Sequence, residues 1–329
     1  MRETLKNILC RREKHQTDIF QLNARRYGFF NADKTIYYVN ETNRELGFFA
    51  MYRCWLEYVY LADVCGFVPV IDVGPDFAYA ENRPIAGTKN PFEYYFLQPS
   101  SMSVREAMHS SRVVHSDIVH RQMVELVLTG KMLQYDCNLQ YLRLMGEIVR
   151  KYFKFNHTIQ EYINEGLERL GIGDGKTLGV HVRGTDFKKG YDNHPVFVTE
   201  EEAFQAIDGV FEKKQYNRIF VATDDRLILE AFVRRYKEKL CFYTDVLRGS
   251  DRKSVAFHEN DRAVHKYQLG REVIRDMCTL SRCDGLVAGV SQVAICARIN
   301  KLAQKKKYQD LIIIDKGINR NGRVFYQHR

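Results

Sequence analysis

From residue 176 onward the chain alternates strand-like and helix-like segments through five strands, and this rhythm limits its possible folds more than any other feature. Thr177–Arg183 (TLGVHVR), Arg218–Thr223 (RIFVAT), Leu240–Tyr243, Gly285–Ala288 and Asp310–Ile314 are short apolar runs rich in β-branched and aromatic residues. Helical patterns lie between them over Thr199–Lys213, Asp225–Tyr236, Arg262–Leu280 and Ser291–Ala303. The first opens on Thr199 with Glu202 three residues on, so a hydroxyl and a carboxylate can each satisfy an orphan amide. Strands joined through helices pair in parallel, because a hairpin cannot reach a parallel partner. The expected C-terminal domain is therefore a Rossmann-like parallel sheet flanked by helices.

The N-terminal half is less regular. Residues 1–33 read as a helix followed by a basic lead-in, and Thr35–Val39 as a short strand. Gly47–Cys65 places Phe48, Tyr52, Leu56, Val59 and Ala62 at helical spacing, and Gly66 ends that helix. Phe67–Ile71 reads as a buried strand, residues 72–104, with four of the six prolines, as a long structured loop, and residues 117–170 as two helical stretches. The simplest organisation is two α/β domains, 1–175 and 176–329. Between them lies Gly171-Ile-Gly-Asp-Gly-Lys-Thr177, which follows a helix and precedes a strand. A phosphate-binding loop needs the reverse order, so this segment is a linker.

Composition matters chiefly through charge. Fifty Lys and Arg against 41 Asp and Glu leave a formal net charge of +9, which raises nucleic acid, an anionic membrane face or a phosphate-bearing small molecule as partner. No RNA- or DNA-binding motif supports the first. The eight cysteines form no CxxC and read as reduced thiols, and no Cys/His spacing suits a metal, so no metal cofactor is expected. Neither a signal-length apolar run nor a transmembrane one is present, so the expected location is cytoplasmic.

In an open α/β sheet, ligands bind at the carboxyl ends of the strands. Those ends read His181-Val-Arg-Gly-Thr-Asp186, Ala222-Thr-Asp-Asp225 and Ala288-Gly-Val-Ser-Gln292. Arg183 stays charged at physiological pH, and its planar fork matches phosphate oxygens. Asp186 is close enough in sequence to hold it or to bind a ligand hydroxyl. Ser291 would cap a helix whose free amides favour an anion. Together these make a pyrophosphate clamp. The plainer alternative is an Arg183–Asp186 surface ion pair and an ordinary helix cap. The pair Asp224-Asp225 reads as the cap of the next helix, with Asp224 as capping residue, rather than as a metal site.

These three strand ends, with Asp276-Met-Cys-Thr-Leu-Ser-Arg-Cys-Asp-Gly-Leu-Val-Ala-Gly-Val-Ser-Gln292, resemble three peptide motifs of the GDP-fucose-dependent fucosyltransferases. The likeness is nearest to the α-1,6 and nodulation-type enzymes, within a superfamily that includes the α-1,2 and protein O-fucosyltransferases. It is good over about residues 176–303, whereas in the N-terminal half only Asn40–Met51 is similar. The resemblance implies a GT-B architecture, with two Rossmann-like α/β domains facing a cleft. It also implies inverting transfer of fucose from GDP-β-L-fucose to a glycan hydroxyl. By motif position, Arg183 grips the β-phosphate and His181 lines the nucleotide pocket. Asp224 and Asp225 frame the guanine side, Asp276 receives the guanine edge, and Ser291 and Gln292 lie at the pyrophosphate.

Asp186 and Asp192 are the candidate bases. Two departures stand out: Gly184 replaces a second arginine, and the loop before Ser291 is about one residue shorter. The implied partners are a nucleotide-sugar donor and a glycan acceptor, lipid-linked if the surplus positive charge serves an anionic membrane face. The implied setting is polysaccharide biosynthesis in a bacterium. Alternatives are a transferase using another nucleotide sugar, or a non-catalytic nucleotide- or nucleic-acid-binding protein.

Overall fold

The computed structural model describes residues 23–129, 135, 137–214, 216–249, 255 and 261–325, and the helix expected at the extreme N-terminus falls largely outside them. Two compact units divide the chain, Met1–His157 and Thr158–Arg329. Both are α/β with a parallel sheet, the class expected from the sequence.

The first unit runs β1 (Ile36–Val39), α1 (Phe48–Cys65), β2 (Val68–Ile71), α2 (Val104–Ala107), β3 (Val113–His115), α3 (Ile118–Thr129) and α4 (Leu139–Tyr152). Its sheet has the order β2-β1-β3, with both pairings parallel. Helix α1 is buried almost all round, centred on Trp55, and Gly66 ends it with a left-handed φ of 70° that carries its amide back to Ala62. Phe48, Phe77 and Phe92 pack edge to face on Trp55, and Tyr95 on Phe48. The long loop is tied to the exit of β2: Asn90 and Gln98 both donate to the Ile71 carbonyl, at 2.8 and 2.7 Å. Tyr94, Tyr95 and Phe96 are core residues, each at most 2% exposed.

Where two helices were expected over 117–170 there are three, α3, α4 and α5 (His157–Arg169). The break after α4 comes at Phe153, with φ −101° and ψ 98°, and no glycine or proline marks it. From Thr158 the chain belongs to the second unit, so the division precedes the glycine-rich linker. Gly166 lies so close to Arg275 and Tyr243 that a Cβ there would stand 2.7 Å from the Arg275 Cδ.

The second unit continues with β4 (Thr177–His181), α6 (Glu200–Phe211), β5 (Arg218–Ala222), α7 (Arg226–Tyr236), β6 (Leu240–Cys241), α8 (His265–Arg282), β7 (Gly285–Gly289), α9 (Gln292–Ala303) and β8 (Asp310–Ile314). All five strands pair in parallel, in the order β6-β5-β4-β7-β8. The capping box at Thr199 and Glu202 is present in full. Helix α8 starts three residues later than expected because Val264 adopts a left-handed φ of 46°. Strand β6 keeps only two of its four expected residues. A hairpin of β9 (Ile318–Arg320) and β10 (Arg323–Phe325) follows, turning at Asn321-Gly322 with φ 49° and 71°. Among the described residues no helix is long and apolar enough to cross a membrane.

Candidate functional site

Sequence order places β5 and β6 on one side of β4, and β7 and β8 on the other. The crossovers reverse direction between β4 and β7, which is where open α/β sheets leave a crevice at the carboxyl edge. His181 sits beside Ala288 on one flank and Ala222 on the other. The chains leaving β4, β5 and β7 therefore carry all three sequence motifs out of the sheet at one level.

Asp224 holds the arginine. Its carboxylate accepts from Arg183 Nη1 at 2.5 Å, the Thr185 hydroxyl at 2.6 Å and the Gly184 amide at 2.9 Å. Asp224, expected to cap the next helix, thus holds Arg183 instead. Asp225, not Asp224, caps α7, accepting from the Leu227 and Ile228 amides at 2.9 and 3.2 Å. Its second oxygen takes the Thr185 amide and the Lys188 ammonium at 3.1 and 2.7 Å. Burial alone would raise the Asp225 pKa, but Lys188 and these amides outweigh it and hold the carboxyl below its ordinary value. Arg183 also lies over the Phe187 ring, 5.5 Å from its centroid, which leaves its guanidinium half-buried and oriented. Thr185 has a φ of 40°, a costly conformation for a β-branched residue, sustained by its two bonds to the aspartates.

His181 is buried and meets the Ala222 carbonyl through Nδ1 at 3.0 Å. A carbonyl only accepts, so Nδ1 carries the proton and Nε2, which has no protein partner, is an acceptor. Burial is the main cause that lowers its pKa to about 4, with the nearby Arg183 charge acting in the same direction, so the ring is neutral at pH 7. Ser291 caps α9 by accepting from the Ala294 amide at 3.1 Å, and Gln292 is the first residue of that helix.

Asp276 lies on the buried face of α8, and Oδ1 has no hydrogen-bond partner. Burial raises its pKa to about 7 against the opposing pull of Arg248 and Arg275. Asp192 is exposed, and its oxygens accept from the Asn321 amide at 2.6 Å and the Asn193 side chain at 3.3 Å. Asp186 falls in the turn Thr185–Lys189, with its side chain outside the described set. Sequence reasoning missed Lys188 and Arg248. The first stands in plain view beside the first motif, whereas nothing local marks the second. Among the described residues no group of three or more His, Cys, Asp or Glu is arranged to hold a metal.

Over residues 137–310 the sequence matches the family of alpha-(1,6)-fucosyltransferase N- and catalytic domains. The chain belongs to this family. The match spans β4 to β7 and reaches the first residue of β8, and it includes Arg183, Asp224, Asp276 and Ser291. A search of curated proteins gave no match. Among solved structures, the α-1,6-fucosyltransferase NodZ soaked with GDP-fucose is 15% identical, covers 82% of this chain and 93% of its own, and superposes with a TM-score of 0.49. NodZ has been crystallised from Bradyrhizobium. POFUT1 in complex with GDP is 11% identical over 85% and 98% of the two chains, with a TM-score of 0.47. A mutant of Arabidopsis thaliana FUT1, also with GDP, is 11% identical over 88% and 72%, with a TM-score of 0.45.

Proposed function

We propose that this fucosyltransferase-family chain transfers L-fucose from GDP-β-L-fucose to a hydroxyl of a glycan acceptor with inversion, giving an α-fucoside. The observation that carries the reading is Arg183. It stands at the switch point of a parallel sheet, pinned by Asp224 and facing the same edge as the capped N-terminus of α9. As the bond to fucose breaks, negative charge develops on the departing diphosphate. A preoriented guanidinium and helix-end amides stabilise that charge without reorganising. These groups supply the positive charge themselves, so the reaction proceeds without a divalent metal. Neutral His181 offers its Nε2 lone pair to a donor hydroxyl. Asp186 and Asp192 are the candidate bases for the acceptor hydroxyl, and Asp192 would have to release the Asn321 amide to act.

The test is transfer from GDP-fucose by Arg183→Ala. Loss of one preorganised donor costs about 10²–10³ in rate, and the variant should unfold at close to the parent temperature. Near-normal turnover would sink the assignment. The acceptor is a cell-surface polysaccharide or oligosaccharide, and the excess of 50 basic over 41 acidic residues suits an anionic inner membrane face where lipid-linked acceptors are presented.

A further inference from the structure

Beside the phosphate edge, the segment 245–249 runs along α8. Asp245 pairs with Arg275, and the Leu247 amide donates to Glu272 at 3.3 Å, one turn before Asp276. Arg248 follows, with Nε donating to the Thr223 carbonyl at 3.1 Å and Nη1 to the Val246 carbonyl at 3.2 Å. Two backbone acceptors thus fix the plane of the guanidinium over the exit of β5. Its third nitrogen, Nη2, is buried with no partner, as is Oδ1 of Asp276. Asp276 is only 8% exposed. A donor and an acceptor, on two residues whose charges act on one another, are thus withdrawn from water and left unsatisfied among the described residues. Such atoms each carry a desolvation cost unless a ligand completes them.

We infer that Arg248 and Asp276 together read the Watson–Crick edge of guanine, with Arg248 Nη2 donating to O6 and Asp276 accepting from N1–H and the 2-amino group. Guanine presents an acceptor beside two donors on that edge, whereas adenine presents an amino donor where guanine has O6, facing the guanidinium. A donor-only guanidinium therefore rejects adenine by leaving two donors opposed, and the selection for a guanine nucleotide is shared between two residues. This rests on the nucleotide-sugar reading proposed above and adds Arg248 to it as the residue that selects the base.

The experiment is calorimetric titration of the full chain with GDP, IDP and ADP, before and after Arg248→Met. Hypoxanthine keeps O6 and N1–H and lacks only the 2-amino group. Binding of GDP and IDP should each weaken about 10- to 100-fold, the cost of a hydrogen bond to a charged group, while ADP, relieved of the opposed donors, binds no more weakly than to the parent. Equal weakening of all three nucleotides would overturn the inference, because Arg248 would then act through the phosphates. Unchanged GDP binding would overturn it as well. If Arg248→Met does not fold, 6-thioguanosine diphosphate, which keeps N1–H and the 2-amino group but carries a weak sulfur acceptor in place of O6, tests the parent protein directly: it should bind more weakly than GDP, and equal affinity refutes the contact. Failure of the parent to bind any of these nucleotides defeats the donor reading itself.

Discussion

An ideal Cβ on Gly184 would stand 2.3 Å from the Asp225 Cβ and 2.8 Å from its carboxylate. The second arginine that the α-1,6 pattern carries at this position therefore has no room while Asp225 caps α7. Gly184→Ala should lower stability by about 1–3 kcal/mol, the usual cost of overpacking, measured as a shift of the urea midpoint. Asp276 makes a prediction of opposite sign. Its folded pKa, raised by burial to about 7, lies above the ordinary carboxylate value of 3.8. Between those values the folded state binds more proton than the unfolded one, so stability falls as pH rises through the window. Asp276→Asn should therefore melt above the parent at pH 8 and lose that advantage as pH falls toward the ordinary carboxylate range. The positions of Arg183 and Ser291 were legible because each has a fixed place relative to a strand end or helix start, whereas Asp276, inside α8, was singled out only by the family resemblance. The division of labour between Asp224 and Asp225 was not legible. Two adjacent carboxylates look alike until the extended backbone of Asp225, φ −113° and ψ 124°, decides which one faces the helix amides.

Helix α8 is the element that organises the segment 243–249 of the second unit. Arg275 emerges from it fully buried, its guanidinium 4.2 Å from the Tyr162 ring centroid and 3.8 Å from that of Tyr243. It also forms two bonds to Asp245, at 3.1 and 2.6 Å. This stack joins α5, α8 and the segment that bears Arg248. Breaking a wholly buried ion pair costs about 3–5 kcal/mol, but the Asp245 side chain is 43% exposed and water recovers part of the loss. Arg275→Met should therefore destabilise by about 2–3 kcal/mol in urea unfolding. Helix α5 could not be separated from α4 by pattern alone, because its packing partners lie more than 70 residues away, as in Arg169 to Asp245. The hairpin after β8 did carry a signal, Asn321-Gly322, the turn pair whose positive φ values match strand twist. The parallel sheet was the most legible feature, since apolar strands separated by capped helices admit few other arrangements.

For the whole molecule, the net charge of +9 is the property most open to direct test. Basic segments gain about 1 kcal/mol per residue near an anionic surface, so the chain should co-sediment with phosphatidylserine vesicles at low salt and be released by 0.5 M salt, about a 4 Å screening length. No sedimentation at low salt would remove the membrane face from the proposal. Assembly order carries a different consequence. The central strand β4 has its amino end closed by Asp284, whose carboxylate accepts the Thr177 amide from 107 residues away. During synthesis β4 emerges long before β7, and at about 5–20 residues per second the ribosome leaves it one-sided for roughly 5–20 s. Through that interval an apolar strand edge is open to other nascent chains, so expression yield should depend on translation speed between codons 182 and 289.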